Sequence, residues 1–201
     1  MQITVRSDSV LIDGYVNAVE RDSKVLHSRS GQFIERIAAG AFTRALGRAK
    51  ATGRPVKVLL NHNYDRELTS TADATTQLRE DNIGLRCTCE IRDAEVVEKA
   101  RNKELRGWSF GFVALNTSEE DQNDMKHRSV RDLDLIEVSI LDNTKIPAYT
   151  GTSIEARDGE ESYIQLREDE SVEYLAIEER KEPDPVDLHE YWNRFNATRM
   201  A

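Results

Sequence analysis

The sequence predicts an α+β domain in which mostly antiparallel strands form a barrel or sandwich with few helices beside them. Short runs rich in β-branched and aromatic residues recur along the first three quarters of the chain. Within that part only two stretches carry helical periodicity, and turn formers such as Asn61-His62-Asn63 punctuate the rest.

The elements follow in order. Residues 10–16, Val-Leu-Ile-Asp-Gly-Tyr-Val, are β-rich, and residues 33–37 alternate apolar and polar. Residues 42–50, rich in Ala, Leu and Arg, predict a short helix. Residues 56–60 read as an apolar strand that stops at Asn61-His62-Asn63, and residues 84–91 as another strand. Residues 93–105 give the clearest helix, with Asp93 as cap and Val96, Val97, Ala100 and Leu105 near one face. Residues 108–115 and 130–141 complete the strands.

Charge divides the chain. Residues 155–201 hold 14 acidic and 6 basic residues, a net of −8, which leaves the first 154 residues at −1 of the total −9. A nearly neutral domain over residues 1–154 is therefore expected to precede an acidic extension over 155–201, with the boundary near the turn formers of residues 147–152. Within the extension, Asp184-Pro185 caps a stretch in which Leu188, Tyr191, Trp192 and Phe195 follow helical spacing, predicting an amphipathic helix.

The same numbers exclude several classes. An acidic chain lacks the basic footprint of a nucleic-acid binder. No run of about 18 apolar residues predicts a membrane helix, and residues 1–7 lack the apolar stretch of a signal peptide, so a cytoplasmic protein is expected. Cys87 and Cys89 sit one residue apart and read as reduced, half-buried thiols. The four histidines are scattered without metal-ligand spacing, so no metal and no cofactor is implied.

Three residues carry chemistry. Ser109 lies in Gly107-Trp108-Ser109-Phe110-Gly111, which spells the G-x-S-x-G elbow of the α/β-hydrolases. The elbow needs strand, turn, then helix, whereas here a helix precedes the serine and a strand follows. Its histidine must also come late, and only His127 and His189 follow Ser109. On the strand reading, Trp108, Phe110 and Phe112 face the core, while Gly111 leaves space beside the Ser109 hydroxyl for a substrate carbonyl. His62, at the end of an apolar strand, could take the proton of a serine hydroxyl that is inert unaided. Simple alternation places Leu133, Leu135, Glu137 and Ser139 on one face, with Ile136, Val138 and Ile140 on the other. Glu137 is then at least half-buried and needs a partner, either a histidine or an arginine such as Arg86 or Arg131.

Four segments together resemble the caudovirus prohead maturation serine proteases. Residues 32–42, ending in Gly40-Ala41-Phe42, are similar to that family's Gly-Ala-Phe segment. Leu60-Asn61-His62-Asn63 is similar to its histidine motif, and Ser109-Phe110-Gly111-Phe112 to its Ser-Phe-Gly-Phe motif. Glu137-Val138-Ser139, followed by Pro147-Ala148, is similar to its Glu-Val-Ser strand and the Pro-Ala after it. Order and spacing fit over residues 10–155. Departures are Asn63, where the family often has Asp, residues 67–71, where a Leu-Gly-like turn often stands, and the connection over residues 141–146. They leave all three candidates in place and put substrate contacts near His62 in question.

The resemblance implies a fold like the herpesvirus assemblins, a mostly antiparallel β-barrel flanked by helices. It implies a serine endopeptidase that cleaves scaffold, capsid-protein propeptide and itself inside the immature capsid, within the host cytoplasm. It assigns Ser109 as nucleophile, His62 as general base and then acid, and Glu137 as the group that orients the imidazole, with His127 and Asp134 as alternatives for that third place. The oxyanion donors are left open between backbone N–H groups and an arginine such as Arg131. The major capsid protein and scaffold are the implied partners, and pairing into a homodimer is expected. Two other classes compete: a non-enzymatic capsid scaffold or chaperone, which the acidic tail would suit, and a small α/β-hydrolase.

Overall fold

The computed structural model describes residues 1–28, 31–123, 125–144, 153–157, 160–165 and 172–177. The amphipathic stretch around Trp192, with His189, lies outside them. The chain opens with β1 (Gln2–Val5), β2 (Val10–Ala18), β3 (Leu26–Ser28) and β4 (Gly31–Ile37), followed by helix α1 (Ala41–Ala51). Then come β5 (Lys57–Leu60), β6 (Asn63–Ser70), β7 (Gln77–Glu80), β8 (Gly84–Ile91) and helix α2 (Ala94–Arg101). Two 18-residue strands, β9 (Leu105–Gln122) and β10 (Met125–Asp142), form the spine. The last described strands are β11 (Ser153–Arg157), β12 (Glu160–Gln165) and β13 (Glu173–Ile177).

The class is α+β and strand-rich. Among the described residues the strands make two open sheets rather than a closed barrel. One has five strands in the order β13-β1-β2-β8-β7. The other has eight, β11-β12-β9-β10-β4-β3, with β5 on β10 and β6 on β5. The long strand β10 takes β9 along one side and splits its other side between β4 and β5, both parallel to it. That sharing brings the end of β5 to the open end of the β9–β10 ladder, away from its hairpin, which is where the site forms.

Trp108, Phe110 and Phe112 are buried on one face of β9 as expected, with Phe110 stacked on Phe112 and edge-on to Phe42 of α1. Each such ring contributes about 2–3 kcal/mol by leaving water. They merge with Val138 and Ile140 of β10, Ile12 of β2 and Leu85 and Ile91 of β8 into the core. Cys87 and Cys89 are free and fully buried there, more so than the half-buried placement expected.

Local chemistry explains both helices. Gly40 sits at φ 82°, a conformation that favours glycine, and Glu80 of β7 accepts from the Gly40 N–H at 2.6 Å and the Thr43 N–H at 2.7 Å. The Gly-Ala-Phe segment is thus a helix start: Gly40 turns the chain, and Ala41 and Phe42 go straight into the core. Asp93 caps α2 by accepting from the Val96 N–H at 3.1 Å. That helix ends at Arg101, short of the predicted Leu105. Lys103 adopts φ 57°, which ends the helix, and Leu105 is buried as the first residue of β9.

Candidate active site

The site is built on the β9–β10 ladder. Ser109 pairs with Ser139, and Gly111 with Glu137. Leu135 pairs with Phe112, so consecutive positions on β9 face Leu135 and Glu137 on β10, and Ile136 is left over as a β-bulge. This corrects the simple alternation. Leu133 and Leu135 turn to the core with Phe112, whereas the extra residue puts Glu137 and Ser139 on the face of Gly111 and Ser109. Ile136, expected on the same face as Val138, is 40% exposed, while Glu137, Val138 and Ser139 are all fully buried.

His62 arrives on the two-residue turn between β5 and β6, closed by the Leu60–Asn63 pair. Asn61 and His62 both have positive φ, 55° and 58°, as a type I′ hairpin requires. Asn and His are among the side chains that best tolerate this region. The turn is stitched to β10. The Asn61 N–H donates to the Ile140 carbonyl at 2.9 Å, the Asp142 N–H to Asn61 Oδ1 at 3.1 Å, and the His62 N–H to Ser139 Oγ at 3.1 Å. Burial would push the Asp142 carboxyl up, but hydrogen bonds from Thr144, Asn61 and Lys99 outweigh it and hold its pKa at about 2. A charged Asp142, paired with Lys99 at 3.1 Å, therefore anchors the strand end beside the turn.

These elements bring the three candidates together. His62 Nε2 lies 2.9 Å from Ser109 Oγ, and His62 Nδ1 lies 2.8 Å from Glu137 Oε1. As a carboxylate Glu137 only accepts, so Nδ1 carries the proton of a neutral imidazole and Nε2 is free to accept from the Ser109 hydroxyl. Ser109 and Glu137 are fully buried, and the His62 side chain is 11% exposed. In this dry setting the arrangement can deprotonate a hydroxyl and stabilise the imidazolium that results.

The other options are placed elsewhere. Arg86 forms a two-pronged pair with Asp13 at 2.7 Å, and Asp134 binds Arg48 at 2.9 Å. His127 pairs opposite Glu120 at the far end of the ladder. Arg131 precedes Ser139 by eight strand residues, roughly 20 Å or more from Ser109, which removes it as an oxyanion donor. The whole of Gly107-Trp108-Ser109-Phe110-Gly111 lies inside β9, with no strand–turn–helix around the serine, so the elbow of the α/β-hydrolases is absent.

The caudovirus prohead serine protease family matches residues 1–165. The chain belongs to that family. No curated protein and no solved structure matches it. Family membership makes the chain a serine peptidase of the prohead class, and capsid proteins the class of protein it acts upon. Among the described residues no helix is long and apolar enough to cross a membrane.

The glycine of the Ser-Phe-Gly-Phe segment has a different use from the one expected. A Cβ on Gly111 would stand 2.6 Å from Glu137 Oε1 and 3.4 Å from Glu137 Cδ. The space beside Ser109 is thus filled by the carboxylate of the protein rather than held open for a substrate carbonyl. The Gly111→Ala variant is expected to keep its fold, because the contact is with the end of a side chain, at a cost of about 1–3 kcal/mol for overpacking. Displacing Oε1 from His62 Nδ1 should slow peptide cleavage by on the order of 10²-fold. A thermal melt together with cleavage rates checks both halves.

Proposed function

We propose that this prohead-family peptidase is a serine endopeptidase acting through Ser109, His62 and Glu137. It cleaves capsid-protein propeptide and scaffold, and its own acidic extension, inside the immature capsid. The observation that carries this reading is the unbroken line from Ser109 Oγ through both ring nitrogens of His62 to Glu137 Oε1, at 2.9 and 2.8 Å.

The chemistry follows from the atoms. Ser109 Oγ attacks the scissile carbonyl carbon as its proton passes to His62 Nε2. Glu137 stabilises the imidazolium across the Nδ1 bond. The imidazolium then gives that proton to the leaving amine, the C–N bond breaks, and an acyl ester remains on Ser109. A water, deprotonated by the same Nε2, hydrolyses the ester and restores the serine. General-base assistance of this kind is worth about 10²–10⁴ in rate. The assembled line also favours an enzyme over a scaffold, which has no need of a buried carboxylate aligned on a histidine.

Two observations support the extension as a substrate. Strand β12 lies antiparallel on β9, with Gln165 opposite Phe110, the neighbour of Ser109. The acidic extension thus continues from a point beside the nucleophile, and Ser109 itself has no exposed surface. Co-expression with the capsid protein from the same genome, wild type beside Ser109→Ala, tests the proposal by intact mass. The expected result is a shortened capsid protein and a shortened peptidase only with the wild type. Full-length masses for both proteins in concentrated, assembled wild-type samples would overturn it.

A further inference from the structure

We propose that Ser139 is a positioning residue that locks the acid and the base of this site to each other. The inference rests on the triad reading above and goes beyond it, since Ser139 touches no reacting atom.

The Ser139 hydroxyl is fully buried on the site face, opposite Ser109 across the ladder. It donates to Glu137 Oε2 at 2.6 Å and accepts from the His62 main-chain N–H at 3.1 Å. Both roles of one hydroxyl are therefore committed to the same site. Glu137 Oε1 binds the His62 ring, and a carboxylate held at one oxygen alone can still turn about its terminal torsion, which is broad. The second bond, at Oε2, fixes the plane of the carboxylate and so the direction of the Oε1 lone pair.

The bond to the His62 N–H acts on the other end. His62 sits in a left-handed conformation at φ 58°, where its side-chain direction depends on how firmly the main chain is held. Ser139 holds that main chain, Glu137 holds the ring, and Ser139 holds Glu137. The bonds close into a loop through three residues: Ser139 to Glu137, Glu137 to the imidazole, and the His62 N–H back to Ser139. Without Ser139, Glu137 keeps only its bond to the imidazole and His62 keeps only its ring contacts, so each gains a torsional freedom, in a buried place where only a trapped water could replace the hydroxyl.

A merely structural serine would be needed for volume or for stability. A chemically positioning one is needed for its hydroxyl. Ser139→Thr and Ser139→Val separate these, being nearly equal in shape and differing in the O–H. The full-length protein is treated with a fluorophosphonate that labels the active serine, and the maximal labelling rate and the half-saturating concentration are measured separately. Ser139→Ala and Ser139→Val are expected to lower the maximal rate about 10–100-fold with half-saturation nearly unchanged. Ser139→Thr should recover most of the rate. The downfield proton resonance of the His62 Nδ1–H should persist in Ser139→Thr and be lost to exchange in Ser139→Val.

The idea fails if Ser139→Ala labels at the wild-type rate, or if Thr and Val variants are slowed equally. Ser109→Ala and His62→Ala serve as the reference pair. If His62→Ala labels as fast as the wild type, the triad reading falls and this inference with it. If the reference pair is dead and Ser139→Val is normal, only this inference falls. Should Ser139→Ala unfold, the comparison of Thr with Val decides alone.

Discussion

Ser109→Ala, His62→Ala and the double variant are expected to lose cleavage to the same extent, on the order of 10⁶ in turnover. The reason is the geometry of one proton. Ser109 Oγ has His62 Nε2 at 2.9 Å, and a serine hydroxyl without a base is a poor nucleophile. Likewise the imidazole, deprived of the hydroxyl, has no proton to take that leads to an acyl ester. Each single change therefore removes the whole unit, and the second change has nothing left to remove. Cleavage of a peptide spanning the mapped site, followed by mass spectrometry over long times, measures the three losses. Losses that multiply, giving a double variant far slower than either single one, would mean that Ser109 and His62 act separately. The folding controls differ: Ser109→Ala deletes one buried hydroxyl, whereas His62→Ala places alanine at φ 58° and leaves the buried Glu137 without its ring partner, so its thermal melt is measured beside its cleavage.

Much of this site can be read from the sequence, and the parts that cannot have identifiable causes. Asn61-His62-Asn63 after an apolar run marks a strand end, and a two-residue Asn-His turn with both φ positive is a natural outcome. Ser109 on a strand with Trp108, Phe110 and Phe112 turned inward is given by alternation, and all three rings are buried. Alternation fails at Ile136, because a bulge is a property of two strands in register and one strand's sequence does not announce it. Without the bulge, Glu137 would share the core face of Leu135 in place of facing His62. The role of Gly111 is hidden for a related reason. A glycine in a strand reports that something approaches closely, but not whether it comes from substrate or from the neighbouring strand. Strands β6 and β7 escape notice since their charged, half-exposed residues carry little apolar signal. The parallel pairings of β4 and β5 with β10 are long-range and leave no local trace.

Glu137→Gln is expected to fold and yet to lose about 10⁴ in turnover, in line with what the loss of a buried carboxylate does to a serine–histidine pair. The amide has two ways to sit, and each breaks something. With its NH₂ toward His62, it donates to Nδ1, so the imidazole must carry its proton on Nε2 and point it at Ser109, which leaves no base. With its oxygen toward His62, the correct tautomer survives, but the NH₂ now faces Ser139 Oγ, which in the wild type donates to Oε2 at 2.6 Å. The Ser139 hydrogen is then left without its acceptor in a fully buried place. In both cases the imidazolium formed during attack meets a neutral amide in place of a carboxylate. Stability should change little, because removing a buried charge relieves desolvation even as a hydrogen bond is lost. The second orientation also makes a distinctive claim. Adding Ser139→Ala to Glu137→Gln removes the misdirected hydroxyl, so it should slow Glu137→Gln less than it slows the wild type, the bond to the His62 N–H being the part still lost. Labelling rates of the four proteins, wild type, both singles and the double, measure that coupling directly. Independent, multiplying losses would show that Ser139 does not act through the carboxylate.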